Sequence, residues 1–365
     1  MRVVRCANAD AWTQLSRGAL AGVALAAAMV GSGAVQAAPP AAAAQPTARQ
    51  VVDQFQRNEG VFRGYRRNHA RGVCVSGRFE SSGDAARYSV AGVFGPRQRS
   101  AVIGRLSIPG TSPYAWDDGT PIRGMALQLT SADGQQWRTA MNAVPAFPVA
   151  TPAADYEFMR LQQPDPATGD PDPKPLAAFF ATHPRANAFR IWDQTTPPSA
   201  SYATERYNSL DAFYLVDAHG RKRAVRWSML PLARDDARRA PPAAPDFLDT
   251  DLARRLAHGP VRWRLSITFA NPGDPVNDAS RAWHGPHRQV IAGTLVIDAM
   301  QAQARGACRD INFNPLVLPR GIEPSNDPLL KFRADVYAES HRRRVREQHD
   351  PSATEKPTGA TQRGH

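Results

Sequence analysis

The sequence predicts an α+β domain in which an antiparallel sheet or barrel carries helical insertions and ends on one long helix. Three observations lead there. Short stretches of alternating apolar and polar residues recur at regular spacing, divided by Gly, Pro, Asp and Ser turns, as antiparallel strands require. The 32 prolines among 365 residues disfavour a bundle of long helices, because an interior proline breaks a helix. Asp327-Pro328 then opens a stretch, 329–346, free of Gly and Pro. Asp caps a helix start and Pro suits the first turn.

Taken in order, residues 48–57 suit a short helix. Alternation predicts strands over 72–79, 88–94, 101–107, 122–130 and 136–142. Asp133-Gly134 makes a hairpin turn. A region punctuated by Pro and Asp, 154–190, holds short helices near 156–161 and 176–183. Strand signals return over 209–217, 222–229, 261–269 and 289–299, with a turn at 217–220. On the last helix Leu329, Phe332, Arg333, Val336, Tyr337 and Ser340 share one side. No repeat or linker divides this stretch, so residues 48–348 are expected as a single domain.

The N-terminus reads as an address. Arg2, Arg5 and Arg17 precede an uncharged Ala-, Val- and Gly-rich run, 18–38, that contains Val35-Gln36-Ala37. A basic start, an apolar middle and small residues before a cut describe a secretory signal peptide, residues 1–37. The expectation is an exported, periplasmic protein with a flexible lead-in, 38–47, and a polar disordered tail, 349–365. No other window has the length of a membrane span.

Cleavage after Ala37 removes Arg2, Arg5, Arg17 and Asp10, and takes the formal charge from +12 to +10. It also removes Cys6, leaving Cys74 and Cys308. An oxidising compartment favours one disulfide between these two, with Cys74 in an early strand and Cys308 at the end of a late one. Two buried thiols are the alternative. The sequence has no GxxxxGK[ST], dinucleotide fingerprint, HExxH or CxxC, so those chemistries have no starting point. The basic charge is scattered, as on a solvated surface, and no nucleic-acid partner is expected. His341-Arg342-Arg343-Arg344 is its one concentrated stretch.

Four stretches carry chemistry. Arg333 and Tyr337 are i and i+4 on the last helix, so they meet. A guanidinium against a phenol oxygen favours phenolate, a hard anionic ligand. His69, in a basic loop before the first strand, suits a general base. Arg105 and Ser107 share one face of a strand; Arg binds anions and Ser orients a His. Asn142 ends a further strand and has a hydrogen-bond donor to offer.

Together these stretches resemble the core of the haem catalase family. "RRNHARG" (66–72) is similar to the family's distal-histidine motif, "GRLS" (104–107) and "RGMALQL" (123–129) to its strands, and "NAVPAF" (142–147) to the distal-asparagine segment. "GIEPSNDPLLKFRADVYAESHRRR" (321–344) resembles the proximal helix. The resemblance covers about residues 50–345. It implies the haem catalase β-barrel with helical insertions and a C-terminal proximal helix, and haem b as cofactor. It also implies Tyr337 as axial ligand to the haem iron, paired with Arg333. His69, Asn142 and Ser107 become catalytic residues, and Arg66, Arg105 and Arg344 the partners of the haem propionates.

The departures are specific. The chain ends soon after the proximal helix, as in the small exported catalase-related peroxidases. Asn68 stands where the family has a β-branched residue, Arg71 where it has Lys, and Phe147-Pro148 where it has paired Phe. The aromatic over the haem has no clear match, with Tyr156 and Phe158 as candidates. The expected activity is reduction of hydrogen peroxide or organic hydroperoxides by a small organic reductant, with weak catalase activity, in oxidative-stress defence. The expected assembly is a monomer or small homo-oligomer. Two alternatives stand beside it: rearrangement of fatty-acid hydroperoxides, and a non-enzymatic haem- or polyanion-binding module.

Overall fold

A computed structural model describes residues 45–233 and 244–349. The expected signal peptide, most of the lead-in, and the tail from residue 350 lie outside the described residues.

Eight strands close into an antiparallel barrel. They are β1 (Gly72–Ser81), β2 (Arg99–Ser107), β3 (Gly124–Thr130), β4 (Gln136–Asn142), β5 (Tyr207–Asn208), β7 (Lys222–Pro231), β8 (Val261–Phe269) and β9 (Gln289–Ala302). The order runs β7-β5-β4-β3-β2-β1-β9-β8 and returns to β7. Outside the ring, β6 (Phe213–Val216) pairs with the start of β7, and β10 (Ile322–Pro324) pairs with β6. Alternate residues point inward, so Leu106, Leu127, Trp137, Trp227, Trp263 and Leu295 fill one apolar core. Trp137 and Trp227 meet edge to face at 5.0 Å.

Among the described residues six helices pack outside this ring: α1 (Ala48–Glu59), α2 (Pro152–Leu161), α3 (Pro173–Thr182), α4 (Pro184–Thr195), α5 (Phe247–Ala257) and α6 (Pro328–Gln348). Asp327 caps α6, its carboxylate accepting from Leu329 N at 2.9 Å. Val51 and Val52 of α1 and Met159 of α2 pack with Val336 of α6. Arg343 donates to Asp53 Oδ1 (2.7 Å) and Gln56 Oε1 (2.6 Å), tying α6 to α1 along the same face. Among the described residues no helix is long and apolar enough to cross a membrane.

Four expectations change. Residues 88–94 form no strand; they are a loop ending in a 3-10 turn, Gly92–Phe94. Tyr88, Ala91, Val93 and Phe94 all enter the barrel core, so burial there is too dense for a two-faced strand. Residues 209–217 break at Leu210, whose φ of 51° turns the chain before β6. The helices α4 and α5 were not expected. The start of α5 is held from outside, by Asp117 Oδ2 accepting from Leu248 N at 2.9 Å, and adjacent residues do not encode that cap. Finally, Cys74 and Cys308 are disulfide-bonded, but Cys308 sits in a 3-10 turn, Ala307–Arg309, beyond the end of β9. The bond spans 234 residues, a closure that stabilises by about 2–5 kcal/mol.

Candidate active site

The site lies on the outer face of the barrel, opposite α6. In the β2–β3–β4 ladder Ser107 pairs with Gly124, and Gly124 with Asn142. One step along, Arg105 pairs with Ala126, and Ala126 with Ala140. Directly paired residues share a face, and strands stand about 4.8 Å apart. Ser107 and Asn142 are therefore displayed about 10 Å apart on one surface. Gly and Ala between them keep that surface low. Leu106 turns the other way, into the core.

His69 reaches this surface from the loop before β1. Its Nδ1 lies 3.1 Å from Ser107 Oγ, which leaves Nε2 to face the cavity. Its backbone is in the left-handed region, φ 56°, a conformation that persists only where the surroundings fix it. They do so here. Asn68 Oδ1 accepts from His69 N (2.7 Å) and Gly110 N (3.0 Å), and Ala70 N donates to Gly110 O (2.9 Å). Ala70 O accepts from Arg105 Nη2 at 3.0 Å. Asn68 is thus the clamp on the His69 loop. A Cβ added at Gly124 would lie 3.0 Å from His69 Cε1 and 3.0 Å from Ser107 Oγ, so glycine is what lets the imidazole lie against β3.

The opposite wall is α6. Arg333 Nη2 donates to the Tyr337 hydroxyl at 3.2 Å, and Nη1 to Asp211 Oδ2 at 2.5 Å. Burial alone would lower the Arg333 pKa, but Tyr337 and Asp211 outweigh it and hold the guanidinium charged. Burial raises the Asp211 carboxyl to about 6, against the pull of Arg333. Seven residues beyond Tyr337, Arg344 is 2% exposed, and its Nε and Nη2 have no hydrogen-bond partner.

Two more cations join Arg344. Arg66 donates to the carbonyls of Cys308 and Ile311, both at 2.9 Å, so the disulfide-anchored loop positions it. Arg105 Nε donates to Gln303 Oε1 at 2.5 Å. A Cβ at Gly72 would lie 2.7 Å from Arg105 Nη2, so this glycine admits the guanidinium. Among the described residues none of the three has a carboxylate at ion-pair distance. Burial lowers all three, Arg105 to about 9 and Arg344 to about 10, and Arg66 and Arg105 are lowered further by neighbouring arginines. Burial, then Arg105, Arg333 and Arg66, push His69 down to about 3. Its imidazole is neutral at ordinary pH.

All eight residues singled out in the sequence line one cavity: Arg66, His69, Arg105, Ser107, Asn142, Arg333, Tyr337 and Arg344. Tyr156 and Phe158 do not. Tyr156 packs between α1 and α6, and Phe158 stacks on Phe179 at 5.3 Å. From α2 the cavity receives Asp155, and from the loop after β4 it receives Phe147. Three groups that shape the site were not singled out. Gly124 lies inside the quoted "RGMALQL" stretch, so its small size was the available signal. Asp211 and Asp155 carry no local signature.

The catalase family matches residues 36–363 of this chain. The catalase-related peroxidase of Synechococcus elongatus is 37% identical over 310 residues, covering 84% of this chain and 91% of that protein. The catalase-related peroxidase of Mycolicibacterium paratuberculosis is 32% identical over 298 residues, 80% of this chain and 93% of its own. Among solved structures, catalase A of Saccharomyces cerevisiae superposes with a TM-score of 0.65 at 21% identity, over 79% of this chain and 63% of that one. The chain therefore spans nearly all of the small relatives and under two thirds of the large catalase, and it shares that enzyme's barrel. By family match, by identity and by fold, the chain belongs to the catalase family.

Proposed function

We propose that this chain is a haem b peroxidase that reduces hydrogen peroxide with a small organic donor. We propose further that it is exported to the periplasm after cleavage near Ala37 and works as a monomer or small homo-oligomer in oxidative-stress defence. The observation that carries the reading is the cavity's donor set. One wall has a phenol oxygen backed by a largely buried guanidinium. The facing wall has a neutral imidazole held by a serine. Beside them Arg105 and Arg344 are buried and Arg66 is half-buried; among the described residues none of the three has a carboxylate at ion-pair distance, and Arg344 has two orphan nitrogens. The orphan nitrogens of Arg344 call for an anionic ligand, because buried polar groups are otherwise satisfied. Two propionates suit the three guanidiniums, and the low Gly–Ala surface suits a flat ring.

In this reading the Tyr337 oxygen would hold the haem iron, and Arg333, itself anchored by Asp211, donates a hydrogen bond to that oxygen. Arg66, Arg105 and Arg344 bind the propionates. Haem, when bound, supplies the electrons that break the O–O bond and accepts their replacement from the donor. His69 takes a proton from one peroxide oxygen and delivers it to the other, which leaves as water. Its depressed pKa leaves the ring free to accept that proton. Ser107 fixes the ring and Asn142 donates to the peroxide. The relatives' names favour this reading over hydroperoxide rearrangement and over a non-enzymatic module.

The test is peroxide consumption by the haem-loaded protein, with and without an aromatic reductant. Donor-dependent consumption with little oxygen release is expected. Vigorous oxygen release without a donor would make the chain a catalase instead, and no consumption would refute the reading.

A further inference from the structure

Among the residues that line the cavity, Asp155 is the one carboxylate. The other formal charges there are basic: Arg66, Arg67, Arg105, Arg333 and Arg344. The neighbouring α1 contributes only Val51, Val52 and Phe55 to the lining. The Asp155 carboxylate takes no hydrogen bond from any described residue, and Arg333 is the one charge that acts on it. Thr151 caps α2, accepting from Ala154 N at 3.2 Å. The capped first turn fixes Asp155 toward the cavity while Phe158 and Met159, a turn later, are buried. An apolar side chain would fill this place more stably than an unpartnered acid.

We propose that Asp155 is the proton acceptor for a phenolic or arylamine electron donor bound in this cavity. The inference rests on the peroxidase reading and names its donor class. Such a donor is oxidised by losing an electron and a proton together. The donor's O–H or N–H bond breaks. Haem, if bound and oxidised by peroxide, would take the electron; the proton goes to a carboxylate oxygen of Asp155, and a neutral radical departs. The carboxylic acid then returns its proton to solvent. Burial raises the Asp155 carboxyl to about 6, opposed by Arg333, which suits uptake and release near neutral pH. Phe147, whose ring lies beneath Arg333 at 6.0 Å, gives an aromatic donor a surface to pack on.

The test compares wild type, Asp155→Asn and Asp155→Glu holoenzymes on two donors. Phenol releases a proton on oxidation, and ferrocyanide releases none. The expected result is a fall of roughly a hundredfold in the phenol-to-ferrocyanide ratio of kcat/KM for Asp155→Asn, with partial recovery in Asp155→Glu. Phenol binding without peroxide, read by difference spectroscopy, should weaken by about tenfold in Asp155→Asn. An unchanged ratio with unchanged phenol binding would overturn the proposal alone. A wild-type protein that oxidises neither donor would overturn the peroxidase reading and this proposal with it.

Discussion

Ser107, Gly124 and Asn142 reach the cavity from three strands, whereas Arg333, Tyr337 and Arg344 reach it from one helix. On the strand side the spacing is set by ladder register, and the groups lie up to 35 positions apart in sequence. Little slack remains there: one added carbon at Gly124 meets both His69 and Ser107. On the helix side the steps are four and seven residues, each a near-whole number of turns. Long guanidiniums absorb small displacements, but among the described residues Arg344 has no carboxylate at ion-pair distance and two of its nitrogens lack a partner. The strand wall is thus limited by geometry and the helix wall by unpaired charge, and the two should fail differently.

Gly124→Ala tests the geometric limit and should have the largest effect of these three substitutions. The added methyl displaces the imidazole from Ser107, so kcat/KM for peroxide should fall roughly a hundredfold. Stability and haem content should change little. Full activity in this variant would show that the strand wall tolerates more than its contacts suggest.

Arg344→Met tests the charge limit, and its two effects should have opposite sign. Haem affinity should weaken by about tenfold, because a propionate loses a buried partner. The haem-free protein should gain about 1 kcal/mol, because an orphan buried charge is replaced by an apolar side chain. Calorimetric melts of both forms read this directly, and a destabilised haem-free variant would contradict it.

The effect that is smallest near neutral pH, and grows on acidification, is a pH dependence seen in the haem-free protein. His69 has a folded pKa of about 3 against an ordinary 6.5, so the unfolded chain binds its proton first. Its contribution to stability is therefore complete above about pH 7 and is lost as pH falls from 6.5 toward 3. For one proton the slope is at most about 1.4 kcal/mol per pH unit. His69→Gln should flatten that part of the profile, as followed by thermal melts across the acid range.

The same contrast explains what was legible in the sequence. Arg333 and Tyr337 could be paired from their spacing, since a helix turns neighbours i and i+4 together. The long strands β1–β4 and β7–β9 could be read from alternation. Their closure into a ring, and the roles of Ser107 and Asn142, came from family resemblance; the row that joins them through Gly124 was hidden, because register between distant strands is not written in either one. Residues 88–94 misled because a densely buried loop is as apolar as a strand. The start of α5 was hidden because Asp117, 131 positions away, caps it. Asp211 and Asp155 were missed for a related reason: each gains its meaning from Arg333 across space.

The account turns on Tyr337 as the group that holds the cofactor, with Arg333 behind it. The most direct measurement is a haem titration of wild-type and Tyr337→Phe proteins, read in the visible spectrum. Wild type should bind one haem and give a high-spin ferric spectrum of the tyrosinate type. Tyr337→Phe should bind haem weakly, lose that spectrum and lose peroxide turnover, while its melting temperature without haem stays close to wild type. An unchanged spectrum with normal turnover in Tyr337→Phe would contradict the assignment.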